Sequence, residues 1–163
     1  MRRILVLVVF AASALAFRSA AAADKKTPPK LELTADEKAI LELTNQARVA
    51  EKVPPLTPNA ALFQAARAHS DNMAKQDKLE HLLDGKRVGD RVTAAGYDYD
   101  EVAENVAVTD EGTAKEIVDG WLKSPGHRKN LLNPQVTEIG LGVAKNAKGE
   151  KYFTQVFAAP HKK

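Results

Sequence analysis

Hydrophobic spacing changes period along this chain, and that change limits what it can fold into. Through most of the first two thirds, apolar residues recur at helical spacing. The last third alternates bulky and small residues with a period of two. Thr34 and Glu37 form a capping box, and Ile40, Leu43 and Ala47 follow on one helical stripe. Val53-Pro54-Pro55 breaks the pattern. Thr57 and Pro58 suit the N-cap and first residue of a second helix, with Leu62, Ala66, His69 and Met73 along its stripe. Asp84-Gly85 marks a turn, and Asp90 to Ala95 predicts a short helix closed by Gly96. Val102 to Val108 is a strand candidate. Thr113 and Glu116 form another capping box ahead of Ile117, Val118, Trp121 and Leu122. Ser124-Pro125 then restarts a short helix that ends before Asn133-Pro134.

From Glu138 onward, Ile139, Leu141 and Val143 form a bulky face, and Gly140, Gly142 and Ala144 a small one. Lys148-Gly149 is a turn, and Tyr152 to Ala159 predicts a strand returning as a hairpin. Helices first and an antiparallel hairpin last specify an α+β fold, with helices packed against a small sheet.

The chain opens with Met1-Arg2-Arg3, an apolar run from Ile4 to Phe17, and Ala20-Ala21-Ala22-Ala23. This has the form of an export signal, with cleavage expected after Ala23 and a cut after Ala16 as the other site. The run is short of the ~20 apolar residues a spanning helix needs, and Arg18 interrupts it. Residues 24–33 read as a polar linker carrying Pro28-Pro29, residues 34–160 as one domain and residues 161–163 as a tail. Loss of residues 1–23 removes three arginines and no acid, which leaves Lys+Arg equal to Asp+Glu at 21. The basic balance therefore resides in the leader and gives no reason to expect a nucleic-acid partner. There is no cysteine. Disulfides, a thiol nucleophile, a thiolate zinc site and a lipidated cysteine are excluded. The expected location is secreted or periplasmic, with no membrane span in the mature protein.

Four polar residues in apolar or tightly turned surroundings are candidates for chemistry. His127 falls at the third position of the helix after Ser124, where the helix dipole disfavours imidazolium. A neutral ring there accepts a proton or binds a metal; equally, it satisfies a backbone group in a tight turn. Glu104 shares the phase of Val102, Val106 and Val108, which points to burial with a partner. Glu138 opens the strand whose small face admits a close neighbour, or is simply an edge residue. His81 stands in a loop, where a surface role is the plain alternative. His69 reads as a satisfied core histidine and Trp121 as core. No Gly-x-Ser-x-Gly, Gly-x-x-x-x-Gly-Lys or His-Glu-x-x-His segment occurs.

Several segments, in order, resemble one family. They are Leu43-Thr44-Asn45-Gln46-Ala47-Arg48, Ala68 to Met73, Ala103-Glu104-Asn105-Val106-Ala107, Trp121 with Ser124 to Leu131, Thr137 to Gly142, and Phe153-Thr154-Gln155-Val156-Phe157. Together they resemble the bacterial branch of the CAP superfamily (cysteine-rich secretory proteins, antigen 5 and pathogenesis-related 1 proteins), from about Ala39 to Phe157. The resemblance implies a three-layer α-β-α sandwich around a short antiparallel sheet. It also implies a central cleft with two histidines and two acids, which in some members binds a divalent cation such as zinc. His81 and Glu104 match two of those positions. Ser124 replaces the acid after the tryptophan, and Tyr152 replaces the second histidine; His127 and Glu138 are the alternatives this branch offers. With Gln155 these residues make the expected cleft: His81, Glu104, Ser124, His127, Glu138 and Gln155, with His81 and His127 as metal ligands.

Three functions stand open on this reading. One is a non-enzymatic binding module for a lipid or other apolar molecule, or for an envelope or extracellular partner. Another is a metal-assisted hydrolase in which His81 and His127 hold zinc and Glu104 polarises its water. The third is a structural envelope module in which the polar cluster ties helices to the sheet.

Overall fold

The computed structural model describes residues 31–162. The expected export signal and linker residues 24–30 lie outside the described residues. Leu31 and Leu33 already pack against the main hydrophobic cluster, and the Glu32 carbonyl accepts a hydrogen bond from Arg67 Nη2 at 2.7 Å. The folded body therefore begins ahead of Thr34.

Helix α1 (Ala35–Ala50) starts at the predicted capping box, with Thr34 and Glu37 each satisfying the other's backbone N–H. Strand β1 is only Thr57–Pro58, and α2 spans Ala60–Gln76. Thr57 and Pro58 thus do not cap the second helix. Thr57 N donates to Thr137 O and Asn59 N to Ile139 O, both at 3.0 Å, so this backbone is held in extended pairing. The cap passes to Asn59, whose Oδ1 accepts from Ala61 N and Leu62 N. Helix α3 (Val88–Ala94) begins two residues earlier than expected, with the Asp90 carboxylate accepting from Arg87 N. Strand β2 (Tyr99–Thr109), helices α4 (Ala114–Lys123) and α5 (Pro125–Leu131), and strands β3 (Glu138–Lys145) and β4 (Lys151–Pro160) complete the chain.

The sheet order is β1-β3-β4-β2, with β1 parallel to β3 and the other pairs antiparallel. Glu138, Gly140, Gly142 and Ala144 lie in register with Ala158, Val156, Thr154 and Tyr152, and β2 continues that row with Val102, Glu104, Val106 and Val108. Helix α2 lies on this face. A Cβ at Gly140 would come within 2.0 Å of the Leu62 carbonyl carbon, and one at Gly142 within 2.3 Å of Ala66 O. The two glycines are therefore the contact surface for the α2 backbone. The opposite face carries Ile139, Leu141, Phe153 and Phe157 into a cluster with Ile40 of α1 and Ile117, Val118 and Trp121 of α4. Helices on both faces give the α-β-α sandwich. Phe153 and Phe157 are fully buried, each worth about 1.5–3 kcal/mol relative to exposure. A domain without disulfides depends on such terms.

Strand β2 is an edge of the sheet, yet two of its outward carbonyls are covered. Asn130 Nδ2 donates to Glu104 O at 3.1 Å and Trp121 Nε1 to Val106 O at 3.2 Å. Side chains of α4 and α5 thus block pairing with another strand along the middle of β2.

Candidate functional site

Glu104 is the centre of a buried polar cluster beneath the end of α2. Its side chain is 2% exposed. Oε2 accepts from Arg91 Nη2 at 2.6 Å, and Oε1 accepts from His81 Nδ1 at 2.9 Å. His69 Nε2 lies 3.8 Å from the same Oε1, but it donates to Glu80 O at 2.9 Å. A buried carboxylate is tolerable only with such partners. Strand phase therefore located it correctly, and Arg91 supplies the cation that the phase demanded.

His81 is anchored at one nitrogen while its side chain remains 59% exposed. The hydrogen bond to Glu104 raises its pKa above the usual histidine range against the opposing effects of burial and Arg91. His69 is shifted the other way, chiefly by burial, so its ring is neutral and its Nε2 proton points to the Glu80 carbonyl. The expectation of a satisfied core histidine holds for Nε2 alone: Nδ1 is buried with no hydrogen-bond partner among the described residues.

On the other side of β2, Asn105 positions His127. Asn105 Nδ2 donates to His127 O at 3.1 Å and to Gln155 Oε1 at 3.2 Å, and its Oδ1 accepts from Asn130. Gln155 Nε2 in turn donates to Thr44 Oγ1 at 2.8 Å. This chain of amides ties α1, β4, β2 and α5 together. Gln155 is fully buried within it and serves the scaffold, away from any open surface. The His127 ring has a lowered pKa, as expected, but the causes are burial first and the nearby charge of His81 second. Helix α5 has seven residues, and the helix dipole is not needed to explain the shift.

His127 and Ser124 line one end of a groove of about 370 Å³ along the outer edge of β2. Its walls are Leu79, Val106, Ala107, Val108, Glu116, Ile117, Gly120 and Trp121. Ser124 joins α4 to α5 and its hydroxyl makes no capping hydrogen bond. Trp121 is buried, as its sequence position suggested, and also forms part of this wall. Leu79 and Val108 are among the few exposed large apolar residues of the domain.

Glu138 does not join these groups. Its Oε2 accepts from Tyr97 OH and, at 3.1 Å, from Asn59 Nδ2. Burial and that bond raise the Tyr97 pKa far above the usual range. Glu138 locks the start of β3 to the N-terminus of α2 and to the turn after α3. The candidate set thus separates into His81 with Glu104, His127 with Ser124 at the groove, and two structural residues, Glu138 and Gln155.

A family model described as CAP, the cysteine-rich secretory protein family, matches residues 41–157. The chain belongs to the CAP family. It is 33% identical over 155 residues to YkwD of Bacillus subtilis, covering 84% of this chain and 58% of that protein. It is 37% identical over 128 residues to the membrane protein YlbC of the same organism, covering 76% of this chain and 34% of that one. An extracellular protein of Bacillus anthracis containing an SCP domain superposes with a TM-score of 0.68 at 31% identity, over 78% of this chain and 44% of that one. An outer surface protein of Borrelia burgdorferi shares the fold, with a TM-score of 0.74 at 20% identity over 80% of this chain and 97% of its own. The Bacillus anthracis relative is thus described as an extracellular protein. No helix among the described residues is long and apolar enough to cross a membrane.

A divalent cation, which the family implies, does not fit the donors of this CAP domain. Oε2 of Glu104 is already bonded to a guanidinium, and His69 directs its Nε2 proton to a carbonyl. Among the described residues no three His, Cys, Asp or Glu side chains converge as a ligand set, whereas catalytic zinc takes three protein ligands and a water.

Proposed function

We propose that this CAP domain is an exported, non-enzymatic binding module that holds an apolar molecule with a polar end in the groove along β2. The groove carries the proposal. Its volume falls in the range of small-molecule sites. Its length is mostly apolar, with Ser124 and His127 at one end and the acid Glu116 on the α4 wall toward the other. The exposed Leu79 and Val108 at its mouth offer further apolar surface. His81 lies close enough to influence His127 electrostatically, and its raised pKa favours a cation beside that end. An acidic head group, as on a fatty acid, suits the polarity.

Export is supported by the leader-like N-terminus and by the extracellular description of a relative at 31% identity. Metal-assisted hydrolysis is disfavoured because Arg91 occupies the carboxylate that would serve it.

Native mass spectrometry of the protein recovered from the culture medium or periplasm tests the proposal. A retained lipid-sized mass is expected, and it should be absent in Gly120→Leu. A Cβ at Gly120 meets nothing within 4 Å, so a leucine there projects into the groove without disturbing the helix. Protein recovered without ligand that also fails to take up added fatty acid, or that turns over an ester or peptide, contradicts the proposal. A retained protein partner in place of a small molecule would shift the assignment to an extracellular docking role.

A further inference from the structure

The groove along β2 has a strip of open sheet edge in its wall. On β4, Ala158 O accepts from Thr137 N on the β3 side, so the even-numbered residues of β4 turn their backbone groups toward β3. Val102, Glu104, Val106 and Val108 stand opposite those residues. Their own N–H and C=O groups therefore point away from β4. The hydrogen bonds from Asn130 to Glu104 O and from Trp121 to Val106 O show the same orientation. Val108 is the next residue of this series. It is exposed and lines the groove, and its N–H and C=O have no hydrogen-bond partner among the described residues. An edge residue with both groups free can pair with one residue of an added strand.

The two ends of the groove differ in charge. Strand β2 leads through residues 110–113 into α4, so Glu116, in the first turn of α4, lies on the Val108 side. Ser124 and His127 lie at the other end. Glu116 Oε2 accepts from Thr113 N at 2.8 Å and from Thr113 Oγ1 at 2.9 Å, which leaves Oε1 without a partner among the described residues. The Ser124 hydroxyl makes no capping bond. An extended chain running antiparallel to β2 starts at the Glu116 end and finishes at the Ser124 and His127 end. Its ammonium then meets a carboxylate, and its carboxylate meets a hydroxyl and an imidazole. A parallel chain would reverse both contacts, so pairing direction and charge select the same orientation.

We infer that the groove takes a short apolar peptide with free termini, laid antiparallel to β2 with one of its residues paired to the N–H and C=O of Val108. This rests on the reading of the groove as the ligand site and narrows its occupant from apolar molecules in general to a peptide. Leu79, Val108 and Ile117 offer apolar surface to the peptide side chains. Trp121 and Asn130 occupy the edge at Val106 and Glu104, which stops the pairing after Val108 and keeps the peptide short.

NMR titration and amide exchange of the folded domain with the tripeptide leucyl-valyl-leucine test this. Saturable shifts are expected at Val108 and Gly120, and exchange of the Val108 amide should slow about tenfold at saturation. Methylation of the central amide nitrogen of the peptide should weaken binding about tenfold. Acetylation of its N-terminus should weaken binding several-fold. Glu116→Gln retains the capping box and should bind the free and acetylated peptides equally. Gly120→Leu should abolish binding, and Ala68→Leu, at an exposed position of α2 outside the groove, should leave it unchanged. Binding of dodecanoate without binding of the peptide overturns the peptide assignment and leaves the groove standing as an apolar site. Equal affinity for the methylated peptide, or unslowed exchange at Val108, also overturns it. If neither peptide nor dodecanoate binds, the reading of the groove falls with it.

Discussion

Arg91 Nη2 stands 2.6 Å from Glu104 Oε2 in a nearly closed interior. Oε2, bonded to the guanidinium, is not free to take a metal. Arg91→Ala would leave Glu104 buried with only His81 as a partner. A loss of about 3 kcal/mol in urea unfolding is expected, in line with breaking a buried ion pair from one side. Zinc titration of wild-type protein should give no site that disappears in His81→Ala. A single zinc per chain that depends on His81 would contradict this account of the centre.

His81 should leave a recognisable pH signature. Its folded pKa is raised, first by the hydrogen bond to Glu104, from an ordinary value near 6.5. The stabilisation it provides is therefore complete below pH 6.5 and is lost as pH rises through the folded value. The melting-temperature difference between wild type and His81→Ala should be largest in mild acid and shrink above neutrality. Because the ring is largely exposed, the effect should be small. His69 acts with the opposite sign: burial lowers its pKa, so its neutral form stabilises the fold above pH 6.5 and that contribution is lost on acidification. The difference between the wild type and the His81 variant isolates the first effect from the second.

Arg48 is a cation with no acid paired to it among the described residues. It is 1% exposed, and its guanidinium donates to four backbone carbonyls: Pro54 O from Nε, Leu131 O and Asn133 O from Nη1, and Val136 O from Nη2. These fix the segment between α5 and β3, and hence the position of His127. Burial lowers its pKa. Arg48→Lys keeps the charge but lacks the fork geometry. A loss of about 3 kcal/mol is expected, with backbone NMR shifts at residues 131–136. Unchanged shifts there would refute the positioning role.

Gly142→Ala tests the packing of α2 on the sheet. The added methyl would sit 2.3 Å from Ala66 O and 2.4 Å from the Ala66 carbonyl carbon. Backbone cannot move aside as a side chain does, so a loss of about 3 kcal/mol or more is expected. Circular dichroism melting should show it. A variant as stable as wild type would mean that α2 does not lie on β3 as described.

Much of this architecture was legible in the chain because local chemistry and tertiary role coincide. The capping boxes at Thr34 and Thr113 start helices where they were expected, and the small face of β3 announced the approach of α2. The burial of Glu104 was legible in strand phase. Thr57 and Pro58 misled because a good cap sequence lost to pairing with β3, a partner some eighty residues away that no local signal reveals. Arg91, Arg48 and the unpaired nitrogen of His69 escaped for the same reason: their importance comes from distant carbonyls and carboxylates. Glu138 and Gln155 had the right residue type for a cleft, but their partners, Tyr97 with Asn59 and Thr44 with Asn105, fix them in the scaffold.

The chain has a single tryptophan, and Trp121 forms part of the groove wall, so its emission reports directly on occupancy. Titration with dodecanoate should produce a saturable fluorescence change in wild type, absent in Gly120→Leu and preserved in Ala68→Leu. No change in wild-type emission, or an equal change in Gly120→Leu, would contradict the assignment of the β2 groove as the ligand site.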